Sequence, residues 1–142
     1  TDRSMIEVND LGAVAWLNEA ANRFQHTKHG TILGIGSVAG DRGRMKQPVY
    51  NASKAFLHTY LEALRNRLAK VGVKVVTIKP GPVKTDLIAG LDFPNAMLPE
   101  TAATIILKKA GRTGEHYLSP VHAVVFFIIR NIPSWIFRRL KV

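Results

Sequence analysis

The sequence contains no cysteine, which excludes disulfide bonds and thiolate metal ligands and fits a reducing compartment without establishing one. We predict no metal site. Acidic residues are also scarce, with 10 Asp and Glu against 20 Lys and Arg, so the formal net charge is +10. Such an excess favours an anionic partner (nucleic acid, an anionic membrane or an acidic ligand), although a solvated basic surface explains it equally well.

Long apolar runs are missing too. Residues 1–6 are mostly polar and contain no apolar run, so we expect no secretory signal there. The longest apolar run, residues 121–129, is far shorter than the ~20 residues that span a bilayer. With 142 residues, 46% of them hydrophobic, the chain can form one ordinary globular core. It begins with Thr inside a predicted helix, so we expect a fragment of a longer protein.

Apolar periodicity predicts an alternation of helices and strands. In chain order these are a helix over 4–24, a strand over 31–37, a helix over 49–71, a strand over 73–78, a helix over 99–110 and a short strand over 116–118. This order predicts an α/β fold, in which right-handed crossovers build a parallel sheet covered on both faces. Ligands of such sheets bind beyond the carboxyl ends of the strands, here after Ile35 and Ile78.

Three polar residues follow the first strand. Ser37 ends it, and Tyr50 and Lys54 lie four residues apart on one face of the next helix. A Tyr hydroxyl normally titrates near ~10, and a nearby ammonium lowers that pKa, which suits the pair to proton transfer with a carbonyl or alcohol oxygen. Taken singly, Ser37 is better explained as a turn cap and the pair as a surface contact. The combination favours an active site.

Three motifs have the order and approximate separations of the second half of a short-chain dehydrogenase/reductase, a family that this sequence resembles over essentially its whole length. They are Gly-Ser at 36–37, Tyr-Asn-Ala-Ser-Lys at 50–54 and Lys-Pro-Gly-Pro-Val-Lys-Thr at 79–85. Asn9 stands where the family has its fourth catalytic residue. The resemblance implies a Rossmann-like, doubly wound, three-layer sheet, of which residues 1–119 form the C-terminal, catalytic half.

The resemblance also implies residue roles. Tyr50 is the general acid in reduction, and Ser37 donates a hydrogen bond to the carbonyl oxygen. Lys54 lowers the pKa of Tyr50 and binds the ribose of the cofactor, NAD or NADP. Tyr50 is implied to contact the cofactor as well. Asn9 holds a water that links Lys54 to solvent, whereas without the resemblance a helix-interior Asn bonded to nearby backbone is the preferred interpretation.

Four more residues are implied at the nicotinamide end of the cofactor. Pro80 and Gly81 let the backbone pass close to the nicotinamide ring. Thr85 and the backbone of Val83 meet the carboxamide group. All four residues belong to the motif at 79–85 that resembles the family.

The family's Gly-rich dinucleotide fingerprint is absent, since the pair Gly34 and Gly36 does not reach its spacing. The residue that separates NAD from NADP lies in that absent half. We therefore expect an exposed sheet edge near Ile32 and an isolated chain that is poorly stable, aggregates or self-pairs, with little or no dehydrogenase activity. The full-length protein is expected to be a homo-oligomer that pairs through the two long helices.

The segment 120–142 is expected to behave as a separate apolar and basic tail. Its apolar run is followed by Arg130, Trp135, Arg138, Arg139 and Lys141. This pattern favours an interfacial helix on an anionic leaflet, hence a cytoplasmic protein that is peripheral at the inner face of the membrane. The alternative is a substrate loop and helix that pack on the body or on a dimer partner.

Two segments, 38–44 and 130–141, resemble one branch of the family, which includes the decaprenylphosphoryl-2-keto-ribose reductase. A lipid-linked keto-sugar is the substrate that this resemblance implies. Arg42 and Arg44 would then meet its phosphate; solvated loop charges are an equally good explanation.

Four functions thus compete at this level. A ketoreductase or alcohol dehydrogenase acting on a lipid-linked keto-sugar is preferred, and the same chemistry on a small soluble ketone or alcohol is the alternative. A nucleic-acid-binding module is disfavoured, because aromatic residues make up only 8% and the basic residues are dispersed. A protein that has lost its catalytic set is disfavoured by the presence of all four residues.

Overall fold

Three parallel strands, with helices on both faces, organise residues 1–140, which the computed structural model describes. The elements are α1 (Asp2–Ile6), a π-helical turn (Glu7–Gly12), α2 (Ala13–Thr27), β1 (Thr31–Ile35), α3 (Pro48–Leu68), β2 (Lys74–Lys79), α4 (Pro99–Lys109), β3 (Gly114–Tyr117), α5 (Pro120–Asn131) and α6 (Ser134–Phe137). Short 3-10 turns occur at Val38–Gly40, Ala69–Val71 and Asp86–Ile88. Lys141, which the tail prediction includes, and Val142 lie outside the described residues.

The sheet has the order β1-β2-β3, and both pairs of strands are parallel. β1 is an edge strand of this sheet, as the sequence predicts for the segment around Ile32. β3 begins at Gly114 rather than at 116 and ends at Tyr117, because Gly114 already pairs with Val76. All three predicted strands are therefore present, and their carboxyl ends share one edge of the sheet.

The two faces of the sheet have separate apolar cores. Val75 points to one face and its neighbour Val76 to the other, as alternation along a strand requires. The first core contains Ala21 from α2 and residues of α3, packed with the sheet: Ile32, Leu57, Leu61, Leu64, Leu68, Val73 and Val75. The second contains Ala102 of α4 with Val76, Ile78 and Leu118. The predicted α/β fold, with its parallel sheet covered on both faces, is confirmed.

The expectation that every crossover is right-handed is wrong. α3 connects β1 to β2 on one face, and α4 connects β2 to β3 on the other, while the chain steps across the sheet in one direction. Two such crossovers must have opposite hands. The long connection over 80–98 provides the length needed to change faces at the carboxyl edge. This brings the segment after β2 across the region where the strands end.

The first predicted helix, over 4–24, extends from Asp2 to Thr27 and is interrupted by the π-helical turn at Glu7–Gly12. Such a turn accommodates one more residue than an α-helical turn and often marks a functional region. Asn9 lies within it. The long second helix begins with Pro48 in its first turn, where the missing amide proton has no helical partner to lose.

The tail packs on the body through one side of α5. Phe126 is buried, with its ring stacked 6.4 Å from that of Tyr117 and edge-on to His122 at 6.2 Å. The other side exposes Val121, Val124, Val125, Phe127 and Ile128. Among residues 1–140, no helix combines the length and the apolar character needed to cross a bilayer. A boundary at 119/120 remains an interpretation.

Candidate active site

The ends of β1 and β2 stay paired beyond the strands themselves. The amide of Gly36 donates to the carbonyl oxygen of Ile78 at 2.8 Å, and the amide of Val38 donates to that of Pro80 at 2.9 Å. The turn after β1 and the Pro-Gly turn after β2 are therefore fastened side by side. This is the edge at which the sequence predicts chemistry.

Ser37 lies in extended conformation between these two hydrogen bonds. Its Oγ accepts from the amide of Ala39 at 3.1 Å and so caps the short 3-10 turn. Accepting this bond uses a lone pair and leaves the hydroxyl proton available for another acceptor. Ser37 therefore caps a turn, as the simpler interpretation has it, and can still donate to a substrate oxygen.

Tyr50 and Lys54 lie in the first turns of α3, and both are half-buried. Lys54 Nζ is 5.8 Å from the centroid of the Tyr50 ring and donates to the carbonyl oxygen of Ile35 at 3.4 Å. Burial lowers the pKa of Lys54, and the charge of Asp10 partly opposes this effect. The ammonium group thus lies between the tyrosine and the end of β1.

Asn9 reaches this helix from the π-helical turn. Its Nδ2 donates to Ser53 Oγ at 3.4 Å, and Ser53 Oγ donates to the carbonyl oxygen of Tyr50 at 3.0 Å. The side chain of Asn9 therefore bonds to a side chain of α3 rather than to neighbouring backbone. The small, buried Ser53 makes this close approach possible.

Asp10, next to Asn9, has no role predicted from the sequence. Its Oδ1 is buried and has no hydrogen-bond partner among residues 1–140. Burial raises the pKa of this carboxyl group, and the charge of Lys54 partly opposes the rise. The two groups therefore affect each other's protonation across the gap between the π-helical turn and α3.

The segment after β2 presents its backbone at the same edge. Lys84 and Met97 are joined by an amide-to-carbonyl bond of 2.9 Å, and Met97 donates to the carbonyl oxygen of Pro82 at 2.9 Å. Because these flanking groups form the bridge, the amide of Val83 is turned away from Met97. Thr85 Oγ1 donates to the carbonyl oxygen of Val83 at 3.4 Å. A backbone donor and an exposed hydroxyl thus lie close together.

A cavity of ≈320 Å³ lies beside this segment, between the turn at Gly81 and the start of α5. The imidazole of His122 packs directly on Gly81, where a methyl group would overlap the ring. A larger cavity of ≈460 Å³ lies on α2, between Trp16 and Phe24, and none of the predicted site residues lines it. Cavity volume therefore does not identify the candidate site, which is chosen by the polar residues that surround it.

Arg42 and Arg44, which are predicted to meet the substrate phosphate, both donate hydrogen bonds to other residues of the chain. Arg42 donates to the carbonyl oxygen of Arg130 at 2.9 Å and to Ser134 Oγ at 3.3 Å. Its guanidinium also lies 4.7 Å from the centroid of the Phe137 ring. Arg44 donates to Asn51 Oδ1 of α3 at 3.4 Å. Arg42 therefore ties the loop after Ser37 to the tail.

A buried charge cluster beneath the site has no counterpart in the sequence predictions. Lys79 is 1% exposed, and its Nζ donates to Asp41 Oδ1 at 2.8 Å and to Glu115 Oε2 at 2.7 Å. Tyr117 donates to Asp41 Oδ2 at 2.7 Å, and Arg130 Nη1 lies 3.8 Å from Glu115 Oε2. Two cations and two carboxylates therefore offset each other at the carboxyl ends of β2 and β3.

Burial, together with the hydrogen bond to Asp41, raises the pKa of Tyr117, so this phenol remains a donor. The feature that could have revealed the cluster is Lys79 itself, since a lysine at the end of a buried strand requires a counter-charge. His58 was missed as well, although it follows Tyr50 and Lys54 at the same four-residue spacing. It is 6% exposed and accepts a hydrogen bond from the amide of Ser37.

Solved structures confirm the fold. A short chain dehydrogenase from Burkholderia cenocepacia, in complex with NADP, aligns with a TM-score of 0.84 and 21% identity over 100% of this chain and 61% of its own. A short-chain dehydrogenase from Sphingobium yanoikuyae, in complex with NADPH, aligns with a TM-score of 0.72 and 21% identity over 91% of this chain and 56% of its own. The expected Rossmann-like, three-layer architecture is therefore correct.

Sequence relatives establish the family. An uncharacterized oxidoreductase of Myxococcus xanthus is 40% identical over 109 residues, 77% of this chain and 43% of that protein. Carbonyl reductase family member 4 of Xenopus tropicalis is 32% identical over 90 residues, 63% of this chain and 38% of that protein. The chain thus spans about two fifths of these curated relatives. The profile described as short chain dehydrogenase matches residues 2–93, and the chain belongs to that family.

Proposed function

We propose that the protein containing this chain is an NAD(P)H-dependent ketoreductase or alcohol dehydrogenase whose proton donor is Tyr50. The observation that supports this most directly is the position of Lys54 Nζ, 5.8 Å from the Tyr50 ring and bonded to the end of β1. A neighbouring ammonium stabilises the phenolate that remains once the proton has left. Ser37 retains a hydroxyl proton for the same carbonyl oxygen, where a fixed donor stabilises developing negative charge.

Proton resupply is proposed to run from solvent, by way of a water at Asn9, to Lys54 and then to Tyr50. Asn9 is linked to the backbone of Tyr50 through Ser53, which connects the π-helical turn to the helix that contains Tyr50. The lowered pKa of Lys54 makes its ammonium a better proton donor than a fully solvated lysine. Asn9 then orients the water that returns a proton to Lys54.

The residues present fit a nicotinamide cofactor, NAD or NADP, which supplies or accepts the hydride when bound. The fit rests on the Val83 amide turned away from Met97 and on the neighbouring Thr85 hydroxyl. The Pro80-Gly81 turn would lie along the nicotinamide ring, with Val83 and Thr85 at its carboxamide. The relatives that were solved with NADP and NADPH support the same assignment.

The test is a nicotinamide assay on the complete protein, with NADH and NADPH against a panel of ketones. Tyr50→Phe is expected to reduce kcat by about 100-fold or more, since general acid catalysis contributes about 10² to 10⁴. Cofactor affinity, measured by fluorescence titration, should stay close to that of the wild type. Tyr60→Phe, on the same helix and stacked on Phe56, is the matched control. Unchanged turnover in Tyr50→Phe would contradict the proposal.

For the substrate, we propose a ketone on a lipid-linked sugar, reached at the inner face of an anionic membrane. Support comes from α5, which exposes large apolar side chains next to the strand ends, and from Trp135, which is 58% exposed. Arg138 and Arg139 follow this apolar surface and complement anionic headgroups. A small soluble ketone is the alternative, supported by the carbonyl reductase name of a relative.

Vesicle sedimentation separates these two substrates. The complete protein is expected to bind vesicles containing phosphatidylglycerol and to leave pure phosphatidylcholine vesicles unbound, and its ketone reduction should rise on the anionic vesicles. A Phe127→Ser, Ile128→Ser double variant should lose binding while retaining turnover of a soluble ketone, because both side chains are exposed. Equal turnover with and without vesicles, and no sedimentation, would favour the soluble substrate.

A further inference from the structure

The imidazole of His58 is enclosed at the centre of the active-site loop. It is 6% exposed and lies between Gly36 and Gly40. A methyl group on either glycine would overlap the ring, so both positions leave the space that the ring fills. Gly36 follows β1, Gly40 ends the 3-10 turn, and His58 packs against both from α3. The ring therefore spans the whole Ser37 loop.

The backbone amide of Ser37 needs a hydrogen-bond acceptor, and the His58 ring provides one. The amides on either side, those of Gly36 and Val38, both donate to the segment containing β2. Because successive amides of an extended chain point in opposite directions, the amide of Ser37 faces away from β2. His58 Nε2 accepts it at 3.3 Å. A side chain of α3 thus satisfies a buried backbone donor that would otherwise be costly to leave unpaired.

Accepting this bond fixes the tautomer of His58. A neutral imidazole that accepts at Nε2 has its proton on Nδ1. Nδ1 lies 3.9 Å from Asp41 Oδ1, on the side of the negative charge. Asp41 is held in turn by Lys79 and Tyr117. The buried cluster therefore favours the tautomer that the Ser37 amide requires.

Burial is the main reason that His58 is neutral, and four charged groups face the ring. They are Lys54 on its own helix, Asp41 on the loop, Lys79 on β2 and Glu115 on β3. Burial, followed by the charge of Lys79, lowers the pKa of His58 to about 4, although Asp41 and Glu115 partly oppose the effect. At neutral pH the ring has a free lone pair on Nε2 and is available as an acceptor.

We propose that His58 is a positioning residue of the active site, which holds the Ser37 amide through Nε2 and thereby directs the Ser37 hydroxyl at the substrate. This inference rests on the proposed function, because it assigns to Ser37 the task of donating to the carbonyl oxygen. The role needs an acceptor at the Nε2 position and a ring-sized side chain. It does not need His58 to touch substrate or cofactor.

Two variants of the complete protein distinguish the hydrogen bond to the Ser37 amide from mere occupation of the space that the His58 ring fills. His58→Gln retains an oxygen acceptor near the position of Nε2, whereas His58→Leu fills similar space without one. We expect His58→Leu to lower kcat by about 10- to 100-fold, as small misplacements in active sites do, with cofactor affinity unchanged. His58→Gln should recover most of that loss. Turnover in His58→Leu within twofold of wild type, or His58→Gln no better than His58→Leu, overturns the inference.

The hydrogen bond itself can be tested without turnover. Nitrogen-15 NMR of the histidine rings in the complete protein should identify a neutral His58 with its proton on Nδ1 at pH 7. A ring protonated on Nε2, or on both nitrogens, overturns the inference whatever the kinetics. Tyr50→Phe separates the two claims. If it loses activity while His58→Leu does not, positioning alone fails; if neither loses activity, the proposed function fails too.

Discussion

Lys79 and Asp41 form an ion pair at 2.8 Å in which both side chains are at most 2% exposed. The pair joins the last residue of β2 to the loop that follows Ser37. Glu115 and Tyr117 extend it to β3. The loop that contains the proposed catalytic serine is therefore held to β2 by this ion pair, in addition to the backbone hydrogen bonds at the strand ends.

Removing the cation from this cluster should destabilise the fold. Lys79→Met leaves Asp41 buried without its main counter-charge, and breaking such a pair typically costs about 3 to 5 kcal/mol. Urea unfolding of the complete protein measures the change in the free energy of unfolding. Lys74→Met, at the exposed start of the same strand, is the control and should change it little. Equal effects of the two substitutions would contradict a structural role for the cluster.

The phenol of Tyr117 should contribute measurably through its bond to Asp41. Tyr117→Phe keeps the ring stacked on Phe126 and removes only the donor. Hydrogen bonds to charged groups contribute about 1.5 to 3 kcal/mol, so we expect a loss in that range. Chemical denaturation provides the measurement, with Tyr60→Phe as the comparison. A loss no greater than that of Tyr60→Phe would show that Asp41 does not depend on this donor.

His58 predicts a specific dependence of stability on pH. Its pKa is about 4 in the folded protein, below the ordinary 6.5, so between these values the unfolded chain binds more protons. The free energy of unfolding should therefore fall as pH decreases from 6.5 towards 4, by about 3 kcal/mol in all. Above pH 6.5 this contribution is fully present.

The comparison that isolates this effect is between wild type and His58→Gln, each unfolded at a series of pH values. Carboxylates titrate in both proteins, so the difference between their curves reports His58. We expect the two curves to converge on acidification, because the variant has no imidazole to charge. Parallel curves from pH 7 to 4 would mean that His58 titrates normally in the folded state.

Arg42 should order the tail. Arg42→Lys keeps the charge but loses the planar guanidinium that bonds the carbonyl oxygen of Arg130 and lies over Phe137. We expect faster amide hydrogen exchange over 130–137, corresponding to about 1 kcal/mol of lost interaction. Arg138→Lys, an exposed neighbour, is the control. Unchanged exchange in Arg42→Lys would return this arginine to the role first predicted for it, at a substrate phosphate.

The sequence predicted the fold well, because buried strands and long amphipathic helices have strong periodic patterns. The motifs at 36–37, 50–54 and 79–85 likewise located the region where the strands end. The opposite hands of the two crossovers were not predictable in this way. Handedness depends on which face α4 packs against, and apolar residues of a strand buried on both faces do not indicate a face.

The buried cluster was missed for a related reason. Asp41 and Lys79 are 38 positions apart, and Glu115 lies on a third element, so no local pattern connects them. The pKa of His58 likewise depends on its burial and on charged groups of four different elements. Long-range electrostatics of this kind becomes visible only once the topology has brought the strand ends together.

The π-helical turn at Glu7–Gly12 makes the chain unusually sensitive to a change in length at this point. The turn contains one residue more than a regular helix would use. Deleting a single residue there would allow α1 and α2 to join as one continuous α-helix with the core face of α2 intact. A deletion on the C-terminal side of Asn9 would also shift Asn9 by one helical position relative to α2, about 100° around the axis and away from Ser53. A single-residue deletion could thus preserve the helix and still remove the contact between Asn9 and the helix that contains Tyr50.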